Sequence, residues 1–114
     1  MITLWHNPRC SKSRKALALL QAGGAEVTVR KYMDDPPSVA ELQAMVRALG
    51  MPPAFTMMRR GEAIFSDLGL SAEDSEQALL DAMAAHPILI ERPIAQSGAR
   101  AVIGRPPETV MTLL

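Results

Sequence analysis

The chain holds one cysteine, Cys10, in 114 residues. A lone thiol cannot close an internal disulfide, which excludes the disulfide-stapled secreted scaffolds and means that any second thiol in its chemistry belongs to another molecule. Two histidines and one cysteine are also too few for a structural zinc site, which takes three or four clustered ligands, so no metal is expected. Neither charge sign is in excess: 12 Lys+Arg against 12 Asp+Glu give a formal net charge of +0, and no global field draws the chain to nucleic acid or an anionic membrane. Apolar runs are short, as at Ile88-Leu89-Ile90, against the roughly 20 residues that span a bilayer. The opening residues lack a basic start followed by an apolar run, so no secretory signal is expected and the chain reads as cytoplasmic.

What is present fits one globular domain over residues 1–114, since a single core closes at about 100–150 residues and no repeat, linker or low-complexity tract divides the chain. The cations are lopsided: nine arginines against three lysines. Arginine's planar fork grips oxyanions with two prongs, a first hint of anion chemistry that position has to decide.

Residues 2–5 alternate at the strand period and stop at the turn signal Asn7-Pro8. Ala16, Leu17, Leu19 and Leu20 then fit a helix over about 11–21, closed by Gly23-Gly24, and residues 26–31 alternate again. This β-α-β opening predicts parallel strands with a right-handed crossover. Ser38 and Glu41 form a capping box before Leu42, Met45, Val46 and Leu49, one apolar face ending at Gly50. A short helical piece after Pro52-Pro53 leads to a turn at Arg59-Arg60-Gly61. Ser71 with Asp74 reads as a second capping box, with Glu73 and Glu76 complementing the dipole of a helix that carries Leu79, Leu80 and Met83 and ends near His86-Pro87. Arg92-Pro93 feeds a strand around Ile94-Ala95; Ser97-Gly98 turns it, residues 100–103 return it, and 104–108 open a terminal helix. The order is βαβ, three helical pieces, ββα.

Cys10 falls between the first strand and the first helix. An ordinary thiol ionises near pH 8.5 and is only a few per cent thiolate at pH 7, so a working nucleophile needs positive potential close by. The helix N-terminus supplies unpaired N–H groups and its dipole. Arg9, Lys12 and Arg14 add charge, His6 can donate a hydrogen bond or carry a proton, and the Ser13 hydroxyl is placed to donate to the sulfur. The same N–H groups suit a tetrahedral oxyanion whose central atom the sulfur would attack. Two other thiol chemistries are excluded by spacing. The phosphatase-type loop needs an arginine six residues past the cysteine, where Ala16 stands, and dithiol exchange needs a second cysteine at Ser13. The eight methionines fit core packing rather than metal ligation, His86 a cap or packing role, and Arg59-Arg60 taken alone a solvated pair.

The run from His6 to Arg14, HNPRCSKSR, resembles the active-site loop of the glutaredoxin-linked arsenate reductase family. Tyr32 with Pro36-Pro37-Ser38, Met57-Met58-Arg59, Leu68-Gly69-Leu70, the run HPILIERP over 86–93 and Gly104-Arg105-Pro106 resemble further family blocks in the same order. The resemblance implies an α/β fold with a thioredoxin-like core and mixed sheet, interrupted by a helical insertion over about 38–86. It implies Cys10 as the nucleophile, Arg59, Arg92 and Arg105 as oxyanion-binding residues, and a cis bond at Arg92-Pro93. It also implies reduction of arsenate to arsenite with glutathione as reducing co-substrate, glutaredoxin as protein partner and no bound cofactor. Other readings are an oxidoreductase of the same type acting on another oxyanion or a glutathionylated target, a monothiol glutaredoxin-like protein, and a Spx-like regulator that binds RNA polymerase. The last usually carries a two-cysteine switch, and Ser13 stands at its second position.

Overall fold

A computed structural model describes residues 1–114. Strand β1 (Ile2–His6), helix α1 (Ser11–Ala22) and strand β2 (Val27–Lys31) form the opening unit. β1 and β2 are parallel, with Ile2 opposite Val27 and His6 opposite Lys31. After helices α2 (Val39–Ala48), α3 (Ala63–Asp67) and α4 (Glu76–Ala85), the chain returns through β3 (Ile94–Ser97) and β4 (Arg100–Ile103), a hairpin turned at Gly98 with φ 58°. β3 pairs antiparallel with both β1 and β4, so the sheet order is β2-β1-β3-β4. A parallel βα unit joined to an antiparallel hairpin on one mixed sheet is a thioredoxin-like arrangement, with three helices inserted between β2 and β3.

Strand alternation divides the core in two, because successive side chains leave opposite faces. Ile2 and Leu4 of β1 and Ala95 of β3 pack with Ala16 and Leu20 of α1 and with Val110. Trp5, Ile94 and Ala101 face the other way, onto Leu42, Met45, Met57, Leu79, Met83 and Leu89 of the inserted segment. Each fully buried Leu, Ile or Met contributes about 1.5–3 kcal/mol. The inserted helices therefore form one wall of the larger core.

Local signals placed most boundaries. The Ser38 hydroxyl accepts from the Glu41 N–H while Glu41 Oε1 accepts from the Ser38 N–H, the reciprocal box expected at the start of α2. The second box is a correction. Ser71 and Asp74 close a turn on themselves, the Asp74 carboxylate accepting from Ser71 N and the Ser71 hydroxyl from Glu73 N, and no helix follows. Helix α4 begins one residue after Ser75, whose hydroxyl accepts from Ala78 N, so Glu73 lies outside it. Glu76, at the first helical position, instead accepts the Ala54 N–H with both carboxylate oxygens at 3.0 and 3.1 Å. The expected terminal helix is a 3₁₀ helix, Pro107–Leu113. Its three-residue turn puts Pro107, Val110 and Leu113 on one edge against the smaller core, which the wider α-helical turn would not align. Helix α3, five residues long, had no counterpart in the sequence reading.

Candidate active site

The pairing register gathers the candidate residues at one end of the sheet. β1 ends at His6 and runs into the cysteine loop, while β2, parallel to it, ends beside it at Lys31-Tyr32. Trp5 pairs with Ile94, which brings Arg92-Pro93 alongside, and Ile94 pairs with Ile103, which brings Gly104-Arg105 next. The Gly104 N–H donates to the Pro93 carbonyl at 2.8 Å. Arg59 arrives from the inserted segment: its N–H donates to Leu89 O at 2.7 Å, the Glu91 N–H donates to Met57 O at 2.6 Å, and Met58 pairs with Ile90. The Arg92-Pro93 peptide is cis, as the resemblance implied, and so is Arg105-Pro106, which nothing in the sequence reading anticipated.

Cys10 is the N-cap of α1, half-buried, with its backbone extended and its sulfur making no capping hydrogen bond. The loop before it is a closed turn. Cys10 N donates to Asn7 O at 3.0 Å, Arg9 N donates to Asn7 Oδ1 at 3.0 Å, and Arg14 Nη1 reaches back from the helix to Pro8 O at 2.8 Å. Arg14 thus fastens the loop as well as charging it. The sulfur is left at the positive end of the helix with N–H groups still unpaired around it, a position that stabilises an anion.

One expectation for this loop is corrected. Ser13 is fully buried, and its hydroxyl engages His6 Nδ1 at 2.6 Å and accepts the Asn7 N–H at 3.1 Å. No hydrogen bond runs from Ser13 to the sulfur, because the side chain faces the strand end rather than the solvent side of the helix. Of the two roles open to His6, the structure shows the hydrogen bond, made with Ser13. Burial holds the His6 pKa below the ordinary value, and the charges of Lys31 and Arg14 push in the same direction.

Arg59 and Arg105 meet at one carboxylate, while the Arg92 guanidinium pairs with no acid. Arg105 Nε lies 2.7 Å from Glu91 Oε1, and Arg59 Nε lies 3.9 Å from the same oxygen. Arg59 Nη1 is 2.6 Å from Glu62 Oε1, close enough to pair yet too poorly angled for a hydrogen bond. Arg92 offers its carbonyl to Arg105 Nε at 3.2 Å, while its own Nε is buried without a partner. Arg59, Arg105, Glu91, Arg60 and Gly61 line a cleft of about 270 Å³. Arg60, its neighbour in sequence, stacks on the Phe55 ring at 5.0 Å. A second cleft of about 340 Å³ lies on the other side of the loop, lined by His6, Arg9, Lys31 and Asp34 among others.

Sequence reasoning missed the acids Glu62 and Glu91, although the signal was there: Glu62 follows Arg59 at helical spacing and Glu91 directly precedes Arg92. It also gave no role to Tyr32. That side chain is fully buried, its hydroxyl has no hydrogen-bond partner, and it lies within electrostatic reach of Cys10, Arg59 and Glu91 together. Burial pushes its pKa up to about 12, against the opposing pull of the Arg59 charge. No group of three or more His, Cys, Asp or Glu side chains could hold a metal ion.

Comparison with known proteins is consistent along the whole chain. The family model described as the ArsC family matches residues 5–113. The "Arsenate reductase" of Neisseria meningitidis serogroup A is 44% identical over 114 residues, covering 99% of this chain and 97% of that protein. The "Arsenate reductase" of Escherichia coli is 37% identical over 115 residues, covering 99% of this chain and 80% of that protein. A solved structure described as an arsenate reductase from Vibrio cholerae superposes with a TM-score of 0.95 at 45% identity, covering 99% of this chain and 97% of that one.

Proposed function

The chain belongs to the ArsC family, and from that premise we propose that it is a thiol-dependent oxidoreductase that reduces arsenate to arsenite through an adduct on Cys10. The observation that supports the reading is the strand register, which brings the backbone segments carrying Cys10, Arg92 and Arg105 to one end of the sheet, with the Arg59 segment bonded to Leu89 beside them. In this reading the three guanidinium groups hold the oxygens of the oxyanion and balance charge as it builds. The Cys10 thiolate attacks arsenic, an S–As bond forms, and one As–O bond breaks, its oxygen leaving as water with protons from solvent. The glutathione thiol then attacks the enzyme-bound arsenic, a second S–As bond forming as a second As–O bond breaks and its oxygen leaves as water. The two electrons that take As(V) to As(III) come from two thiols, which become a disulfide that a glutaredoxin resolves. The enzyme owns no second cysteine, so resolution from outside is a chemical requirement. A cytoplasmic setting, where thiols stay reduced, goes with that requirement.

His6, Ser13 and Arg14 act on Cys10 through the loop rather than by touching it: the His6–Ser13 pair and the Arg14–Pro8 bond hold the turn that presents the sulfur. The Spx-like reading is not favoured, since Ser13 is buried and bonded where that regulator needs a second thiol. The test is arsenate-dependent NADPH oxidation in a system coupled to glutathione, glutaredoxin and glutathione reductase. Turnover by the wild type and none by Cys10→Ser is expected; a wild type without turnover would end the arsenate assignment.

A further inference from the structure

The oxyanion cleft already contains an anion. Glu91 Oε1 sits against the Nε atoms of both Arg59 and Arg105, the place a substrate oxygen would take between two guanidinium groups. With Glu62 on the other side of Arg59, two carboxylates offset two guanidiniums. A second negative ligand therefore enters against Coulomb repulsion from the first unless Glu91 moves.

The hold on Glu91 is one that can be released. Its one side-chain hydrogen bond is through Oε1, which accepts the Arg92 N–H at 3.3 Å, and Oε2 makes no hydrogen bond. The Arg105 Nε–H is aimed at the Arg92 carbonyl, so its approach to Glu91 is a charge contact without an aligned hydrogen bond. The terminal nitrogens of Arg105 make no hydrogen bond within the chain and remain available as a fork. The Glu91 backbone, by contrast, is fixed by its N–H bond to Met57 O, so only the side chain has to swing.

We propose that Glu91 is a resident competitor in the oxyanion site: its carboxylate lies between the Arg59 and Arg105 guanidiniums at rest and must be displaced by an entering oxyanion, so it sets the affinity of the site for tetrahedral oxyanions. The inference rests on the oxyanion-binding reading above and adds a control on affinity to it. Phosphate and arsenate are both tetrahedral oxyanions with closely similar acidities, and displacing the carboxylate penalises both equally, so Glu91 weakens non-covalent occupancy by either without changing the ratio between them. Discrimination is left to the covalent step, because arsenate exchanges an As–O bond for an S–As bond to Cys10, whereas phosphate forms no comparable bond to sulfur.

The test measures binding of inorganic phosphate by calorimetry, which needs no turnover. Replacing Glu91 by glutamine removes one like charge beside the bound anion and is expected to tighten phosphate binding by about tenfold or more over the wild type. Glu91→Asn, equally neutral and too short to span the fork, reproduces the gain and stands in if Glu91→Gln fails to fold. Glu73→Gln removes the same charge from an exposed turn outside α4 and leaves phosphate affinity unchanged. Adding Arg105→Ala to Glu91→Gln abolishes the gain. Phosphate affinity that is unchanged or weaker in both Glu91 variants, or raised as much by Glu73→Gln, overturns the proposal. A wild type that fails to reduce arsenate while Glu91→Gln still binds phosphate more tightly overturns the substrate and leaves the competitor standing.

Discussion

Replacing Ser13 by alanine removes one oxygen from a site with no solvent. The side chain is 0% exposed, and that oxygen meets His6 Nδ1 at 2.6 Å and the Asn7 N–H at 3.1 Å. The cavity left behind is smaller than a methyl group, so the loss is almost wholly polar. Stranding a buried group costs about 1–3 kcal/mol, and the Asn7 end, only part-buried, belongs at the low end of that range. Together the two groups cost about 3 kcal/mol. At about 4 °C per kcal/mol for a domain of this size, the melting temperature falls by about 12 °C. Urea unfolding followed by circular dichroism and by Trp5 fluorescence measures the loss directly. A change below about 0.5 kcal/mol would mean that water replaces the hydroxyl, and the account of the loop as a turn held from inside would fail.

Two further predictions concern the same end of the sheet. Tyr32 is the sole tyrosine, so the near-ultraviolet tyrosinate signal reports it alone. The folded protein should titrate near pH 12 against about 10 when unfolded; with the folded value raised, stability is complete below pH 10 and is lost as pH rises toward 12, and a folded-state midpoint near 10 refutes the burial argument. Gly104→Ala would bring a Cβ within 2.7 Å of Pro93 Cγ and 3.1 Å of Val110 Cγ1, a clash expected to cost about 1–3 kcal/mol; an unchanged urea midpoint would show that the Pro93 ring gives way freely.

The strands, α1 and α2 were legible because each carries its own signal: alternation in residues 2–5 and 26–31, the Ser97-Gly98 turn before 100–103, the Gly23 stop, the reciprocal Ser38–Glu41 box. The Ser71–Asp74 box misled because its residue types satisfy a turn as well as a helix start, and Ser75, adjacent to them, carries the cap. Cys10 was legible at the junction of a strand and a helix. The meeting of Arg59, Arg92 and Arg105 was not, since it depends on strand register and on the Met58–Ile90 pairing across the inserted segment, neither of which spacing encodes. Ser13 was placed on the wrong partner because a three-residue offset along a helix says nothing about the strand behind it, where His6 competes for the hydroxyl.

The outer strands of the sheet bear on how the protein behaves when crowded. β2 ends one border, and there Arg30 lies over the Trp5 ring at 5.7 Å, bonds the carbonyls of Asp35 and Pro36, and pairs with Glu41 of α2. Lys31 follows it, exposed, and the opposite border opens with exposed Arg100. A neighbouring polypeptide seeking to extend the ladder meets a cation at each rim, Lys31 at the end of β2 and Arg100 at the start of β4. Neutralising Arg30, Lys31 and Arg100 together should therefore make edge-to-edge association and fibre seeding more frequent than in the wild type, read by thioflavin fluorescence and light scattering at matched concentration.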